Sequence, residues 1–581
     1  MTMRAADDAA AARYRRAGWW GGRSLLDRFE SHVARSPEAL ALVSGDVTLS
    51  RAELWSAAGE AAEKIRGIAG PGRRVVVLLL PNETAWLVMF LAVLRAGQVP
   101  ATPPVTTTAN HLRHIFALTE PALAITVSRH RQSAPADVVR QAAEGASAEA
   151  PPEGTAQASG RATAEAPAGG TAEVPGEATG VVVGLVEGRS LEICDPWGSS
   201  ATGISISGVD VSETAAHLMF TSGTTGPPKV VSHSEDSLAT LNRQFAERFS
   251  LGPATPVFMP SPLGHSVGAI HGARLSMFLG APLILQDRWD AQAALELVAR
   301  HRAAFTAAAT PFLFDLANAP WRGSEPKLAP LKSFLCGGAQ VPPALIRRCR
   351  TEFPNTFVTP LWGMTEGGLT TCVADSTDEQ VETTVGVGLP GLKLRTLTDD
   401  MRLQAIGAGE LVMRGPGVFN GYYAQPETYA ENLIGDGFFR TGDLARIDAD
   451  GYVSITGRAK DLIIRGGVNI SPVETENVIA AHPDVVGVAV IGWPDERLGE
   501  RLCAAVETTA PLTLADLLRF CEAQGLPRRY WPERLEPVER FPRTAAGKIR
   551  KHELRGRLLD RATAAGGNDA GAADQHRGED R

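Results

Sequence analysis

The run FTSGTTGPPK, from Phe220 to Lys229, has the composition of a loop that wraps phosphate. Thr221, Ser222, Thr224 and Thr225 offer hydroxyls, Gly223 and Gly226 let the backbone approach a ligand closely, and Lys229 adds a positive charge. The spacing is not that of G-x-x-x-x-G-K-[ST], because two prolines separate Gly226 from Lys229. A polar glycine-rich turn is the plain alternative. Further along, WGMTE at 362–366 presents a carboxylate of the kind a hard cation prefers, although Thr-Glu after a Gly-Met turn also suits a helix cap. FFRTGDL at 438–444 contains a Thr-Gly-Asp that, taken alone, is ordinarily a turn. PRTAAGKIRK at 542–551 is a basic run of the sort that usually lies on a solvated surface.

These segments need a scaffold, and the chain offers one. With 581 residues it is too long for a single ordinary core, and 44% hydrophobic with 21% charged residues reads as globular and soluble. A net charge of -8 argues against a general nucleic-acid binder. The six cysteines, Cys194, Cys336, Cys349, Cys372, Cys503 and Cys521, lack metal or disulfide spacing and suit a reduced, cytoplasmic setting. The most apolar stretch, Val75 to Leu94, is cut by Pro81, Asn82 and Glu83, which defeats a single membrane span and reads as buried strand, loop and helix. The same alternation recurs at 283–301 and 333–353, predicting an α/β fold with parallel sheet. Short strands and glycine turns follow from Gly409 to Gly451, and a small C-terminal domain is expected over 460–558. Residues 134–180, rich in Ala, Gly, Pro, Glu and Thr, read as a disordered insertion in a 1–459 domain, and 559–581 as a disordered tail.

In their shared order these motifs resemble the adenylate-forming superfamily of acyl-CoA synthetases, non-ribosomal adenylation domains and firefly-type luciferases. The resemblance runs from about Arg13 to Leu558, less the insertion. It implies a large N-terminal domain of stacked α/β subdomains plus a β-barrel-like subdomain, with a small mobile α+β C-terminal domain. It assigns the loop from Thr221 to Lys229 to the phosphates, Thr365 to the α-phosphate, Glu366 to magnesium, and Trp362 to the adenine face within Trp362-Gly363-Met364. CGGAQV at 336–341 places Gly337, Gly338 and Ala339 near the base and acyl group, and Asp443 meets the ribose hydroxyls. In GRAKDLIIRGGVNISPVETE at 457–476, Arg458 contacts the nucleotide, Lys460 is the hinge, and Gly466 and Gly467 line a pantetheine tunnel. Lys548 becomes the catalytic lysine of adenylation, and His265 a gating residue near the carboxylate.

The activity implied is conversion of a carboxylic acid to acyl-AMP with ATP and Mg2+, then to a coenzyme A thioester by domain alternation. RYRRAGWW and the pocket segment GHSVGAIHG at 264–272, with LQDRWD at 285–290, resemble ligases of fatty or alicyclic acids, so a bulky hydrophobic acid is expected. Relatives have Gly after the loop lysine where this chain has Val230 and Val231, which raises the prospect of impaired loop closure and of specialisation for one half-reaction beside a companion ligase. Loading of a carrier-protein phosphopantetheine, and non-catalytic binding of acyl-nucleotide, are the other readings left open. The acid, the oligomeric state and the role of the insertion are not set by these residues.

Overall fold

The buried segments order themselves around two large sheets. The computed structural model describes residues 6–146, 182–194, 214–221, 227–339, 341–544 and 547–570. One sheet has nine strands, with a parallel centre running from Phe357–Met364 through Ser333–Gly337, Phe305–Ala309, Val257–Met259 and Leu283–Leu285 to Leu40–Ser44. Its two ends are antiparallel additions. A second sheet of seven strands has Val75–Leu79 near its middle and ends in the antiparallel pair His217–Phe220 and Val230–His233.

The helix Thr84–Arg95 lies between these sheets, and every residue from Thr84 to Val93 is buried. A helix apolar all round is stable only with cover on all sides. That cover is one cluster holding Leu42, Leu283 and Leu285 from the first sheet with Val76 and Leu78 from the second. The interrupted apolar stretch is therefore strand, turn and sandwiched helix. Among the described residues no helix is long and apolar enough to cross a membrane.

The outer face of the seven-stranded sheet carries a correction. Pro135–Ala146 is a helix, and Val139, Ala142 and Ala143 bury against Val183, Leu112 and Phe116. The start of the expected disordered insertion is thus a packed amphipathic element. Its alanines resembled low-complexity sequence, but they fall at the i, i+3, i+4 spacing of one helical face. Residues 147–180 lie outside the described set. The helix Lys551–Ala570 starts in the expected C-terminal domain, where Leu554 and Leu558 are buried beneath the last sheet, and continues past 559; residues 571–581 lie outside the described set.

Beyond Lys393 the strands pair antiparallel, except that Arg534–Pro537 runs parallel to Gly499–Thr508. A six-stranded sheet contains Lys393–Leu397, Gly407–Arg414, Phe438–Ile447 and Val453–Arg458. A five-stranded sheet follows, built on Val485–Asp495 and Gly499–Thr508, with helices Val473–Ala480 and Leu514–Ala523 on one face. Core membership changes between Ile455 and Ile463, and a short turn, Ala459–Asp461, joins the two units. A large α/β portion and a small α+β C-terminal portion are both present.

Candidate active site

The expected site residues come from strands and from the turns at strand ends: Trp362, Gly363, Met364, Asp443 and Arg458 lie within strands, and Thr365 and Glu366 in a turn. Thr365 and Glu366 form the two-residue turn between Phe357–Met364 and Gly367–Thr371, with Met364 paired to Gly367. They cap no helix. Gly367 (φ 97°) admits no side chain here, since a methyl would stand 2.4 Å from the Gly417 carbonyl oxygen. The turn is pinned from two sides. Phe419 N–H donates to the Glu366 carbonyl at 2.8 Å, and His233 Nε2 lies 2.8 Å from the Thr365 carbonyl. Burial pulls His233 down to about 4, so the ring is neutral and Nε2 carries the donated proton.

Glu366 is buried, at 5% exposure, and its Oε1 accepts from Tyr422 O–H at 2.7 Å. Burial raises the carboxyl, while Tyr422 and the charges of Lys229 and Arg458 work in the opposite direction. Lys229 Nζ stands 4.7 Å from the centre of the Tyr422 ring, a cation–π contact. The segment Asn420–Tyr423 runs beside Val230–His233: Tyr423 N–H donates to the Val230 carbonyl and Ser232 N–H to the Gly421 carbonyl. Tyr422 and His233 were missed from sequence, because neither belongs to a motif and each reaches its partner across a long loop.

At the phosphate segment, Thr221 and Lys229 close on each other. Thr221 N–H donates to the Lys229 carbonyl, and Lys229 N–H donates to Thr221 Oγ1, both at 3.2 Å. Ser222, Gly223, Thr224, Thr225 and Gly226 lie outside the described residues. Val230 opens a buried strand paired to Phe220. A β-branched residue suits extended backbone, so its stiffness falls on the strand and not on the loop.

Asp443 organises the far wall. Trp362 Nε1 donates to Oδ2 at 2.8 Å, and Arg458 Nε donates to Oδ1 at 2.6 Å. Trp362 is itself buried, in a cluster with Met413 and Phe439. Gly363 and Met364 continue that strand to the Thr365 turn.

Lys548 enters from the small C-terminal portion on a turn that Thr544 closes, with Thr544 N–H on the Lys548 carbonyl and Lys548 N–H on Thr544 Oγ1. The neighbouring Gly547 packs so near Pro311 that a methyl would stand 3.4 Å from it. Loss of water lowers the Lys548 ammonium to about 8; Arg458 and Lys460 add to this, and Asp443 and Asp461 oppose it. The charge of Lys548 also reaches His265, which burial pulls down to about 4. Lys229, Arg458, Lys460 and Lys548 thus converge on Asp443, Asp461 and Glu366, a field suited to a polyanion.

Against this field opens a pocket lined by Ser261, His265, Val267, His271, Ala307 to Ala309, Leu335, Gly337, Gly338 and Leu361. Gly337 is required there, because a methyl would stand 2.6 Å from the Leu361 carbonyl oxygen. Ala339 follows, exposed, at the end of that segment. Gly466 (φ 59°) and Gly467 (φ 82°) instead form the turn of the hairpin Ile463–Arg465 and Val468–Ile470, flanked by exposed Ile464 and Val468. Positive φ at both positions is the two-residue hairpin pattern, which glycine satisfies without strain.

Chemically, an apolar pocket meets a cationic cleft with two buried carboxylates, Glu366 and Asp443, so a carboxylic acid and a polyphosphate can be held together there. The model of the AMP-binding enzyme family matches residues 29–423, and that of the AMP-binding enzyme C-terminal domain matches 474–548. The chain is 35% identical over 353 residues to the medium-chain fatty-acid–CoA ligase of Escherichia coli, covering 60% of this chain and 62% of that one, less than two thirds of the relative's length. It is 31% identical over 561 residues to the salicyl-AMP ligase / salicyl-S-ArCP synthetase of Mycobacterium tuberculosis, covering 94% and 92%. Among solved structures, ATP-bound MatB from Rhodopseudomonas palustris superposes with a TM-score of 0.76 at 26% identity, covering 92% of this chain and 99% of that one.

Proposed function

Since the chain belongs to the AMP-binding enzyme family, we propose that it is an AMP-forming acyl-CoA ligase for a hydrophobic carboxylic acid. The acid's carboxylate oxygen attacks the α-phosphorus of ATP, the bond to the β-phosphate bridge breaks, and pyrophosphate leaves with the electron pair. A thiol sulfur of coenzyme A then attacks the acyl carbonyl, loses its proton, and AMP departs. In the first step two anions must meet, so the barrier falls through charge neutralisation and alignment. The observation that carries this reading is the presence of Lys548 among Arg458, Lys460 and Asp443, at the mouth of an apolar pocket.

In this reading Lys548 steadies the charge passing between carboxylate and α-phosphate, the Thr221 to Lys229 loop holds the departing pyrophosphate, and Asp443 accepts from the ribose hydroxyls. Glu366, with Thr365 beside it, fits magnesium by its chemistry, a buried carboxylate with oxygen donors only; when bound, the ion supplies further neutralisation of phosphate charge.

The small domain, taken to begin at 460, then rotates about Lys460, withdraws Lys548 and brings the Gly466–Gly467 hairpin to the cleft, a hinge motion confined to a few residues. Lys460→Pro is expected to cut thioester formation from supplied acyl-AMP by about tenfold or more, through the stiffened hinge, with a smaller loss in pyrophosphate release. Equal loss in both assays, with folding intact, removes the hinge role.

A carrier-protein thiol is the second reading. It is favoured by the near full-length match to the mycobacterial synthetase and by the exposed Ile464 and Val468 beside the hairpin. A panel of acids, assayed separately for pyrophosphate release, CoA thioester and acylated phosphopantetheinyl carrier, separates the two. No pyrophosphate with any acid refutes both.

A further inference from the structure

The apolar pocket contains one polar group whose hydrogen bonding is unfinished. His271 is 4% exposed and lines the pocket, and its Nδ1 is buried with no hydrogen-bond partner among the described residues. Of the other polar lining groups, Ser261 Oγ donates to the Ala307 carbonyl at 3.1 Å and His265 Nδ1 accepts from Val267 N–H at 3.4 Å.

The imidazole has little freedom to turn elsewhere. One face stacks on Phe245, with ring centroids 4.2 Å apart and planes 15° from parallel. The ring projects from a π-helix, Val267–Arg274, a wider helix frequent at functional sites. That helix is pressed against its surroundings at two glycines. A methyl at Gly268 would stand 2.2 Å from the Pro262 carbonyl oxygen, and one at Gly272 would stand 2.6 Å from Met259 Cγ. Arg274 ends the helix in an ion pair with Glu235 at 2.7 Å. A side chain held this firmly keeps its unpaired nitrogen in one place.

We propose that His271 is a specificity-determining residue that recognises a neutral hydrogen-bonding group, a hydroxyl or keto oxygen, on the acid beyond its carboxylate. The proposal rests on the ligase reading and deepens it, because it takes this pocket as the acyl site. The argument is one of desolvation. Nδ1 is closed to solvent in the free protein and carries no hydrogen bond among the described residues. A bound acid that brings a polar group to it supplies the missing partner, and an acid without one leaves the buried nitrogen unpaired. A site of this kind discriminates strongly against the analogue that lacks the matching group. A second carboxylate is a poor occupant, since the pocket lining holds no lysine or arginine and burial, with His265 nearby, pulls His271 down to about 3, leaving it uncharged.

The test compares paired acids in wild-type, His271→Asn and His271→Phe protein: cyclohexanecarboxylic with hydroxycyclohexanecarboxylic acid, benzoic with 3- and 4-hydroxybenzoic acid, and octanoic with hydroxy- and keto-octanoic acid. The readout is kcat/KM for pyrophosphate release, taken as the ratio within each pair. Wild type is expected to favour the oxygenated member of at least one pair by about 10²-fold or more. Asparagine, which places an amide near the Nδ1 position, keeps a preference in the same direction. Phenylalanine brings the ratio to about one or inverts it. Pyrophosphate release without preference in any pair overturns the proposal and leaves the ligase reading standing, as does a phenylalanine variant that lowers both members of a pair equally. Absence of pyrophosphate release with every acid takes down both.

Discussion

Lys548→Ala is expected to lower acyl-adenylate formation by at least about 10²–10³-fold, while thioester formation from supplied acyl-AMP stays within a few-fold of wild type. The reasoning is electrostatic. Lys548 is a cation that the small domain delivers to the cleft, and its Gly547 neighbour lies near Pro311 and the pocket-lining Ala309. The ammonium is useful only while protonated, and in the free protein it is lowered to about 8 by burial, Arg458 and Lys460. Below that value it is charged. As pH rises through 8 the charge is lost, so kcat/KM for ATP is expected to fall about tenfold per pH unit on the alkaline side. A bound triphosphate adds negative charge and raises the lysine, so the limb in kcat moves to higher pH than the limb in kcat/KM. Lys548→Arg keeps charge at every working pH and should lose that limb, even if alignment suffers. An alanine variant that adenylates normally, or an arginine variant with an unchanged alkaline limb, refutes the assignment.

That residue was legible because its signal is local. Pro-Arg-Thr before Gly-Lys is a short pattern, and the turn it encodes, with Thr544 closing on Lys548, needs nothing from the rest of the chain. The same holds for the Thr365-Glu366 turn and the hairpin at Gly466-Gly467. What could not be read was the support behind them. Tyr422 lies 56 residues from Glu366 and His233 lies 132 from Thr365. Both are set by strand pairings between distant segments, which no window of sequence contains. His271 was part of a quoted pocket segment, yet its unfinished hydrogen bonding depends on Phe245, Met259 and the wide helix beneath it. The misreading of Pro135–Ala146 has a physical cause as well. It looked like low-complexity chain, judged by residue type before the surface it packs on was known, and tertiary context overrides propensity in such cases.

Glu366→Gln separates activity from stability at the same turn. Glutamine keeps the volume and can still accept from Tyr422 O–H, but it removes the negative charge. The carboxyl is raised by burial, which means the fold bears a cost for holding the ion there. The neutral amide relieves that cost, so the apo variant is expected to melt at or above the wild-type temperature. Adenylation is expected to fall by about 10²–10³-fold, with the response to added magnesium flattened, because a hard cation prefers a carboxylate to an amide. Tyr422→Phe gives the opposite pairing. It leaves the charge in place but strips its hydrogen bond at 2.7 Å, so the apo protein should lose stability. Its activity should drop by about 10- to 10²-fold, since a hydrogen bond to a charged group contributes roughly 1.5–3 kcal/mol. Thermal melts without ligand, together with magnesium titrations of pyrophosphate release, check both. A Glu366→Gln protein that is less stable than Tyr422→Phe yet more active would mean that the buried carboxylate serves the fold and not the nucleotide.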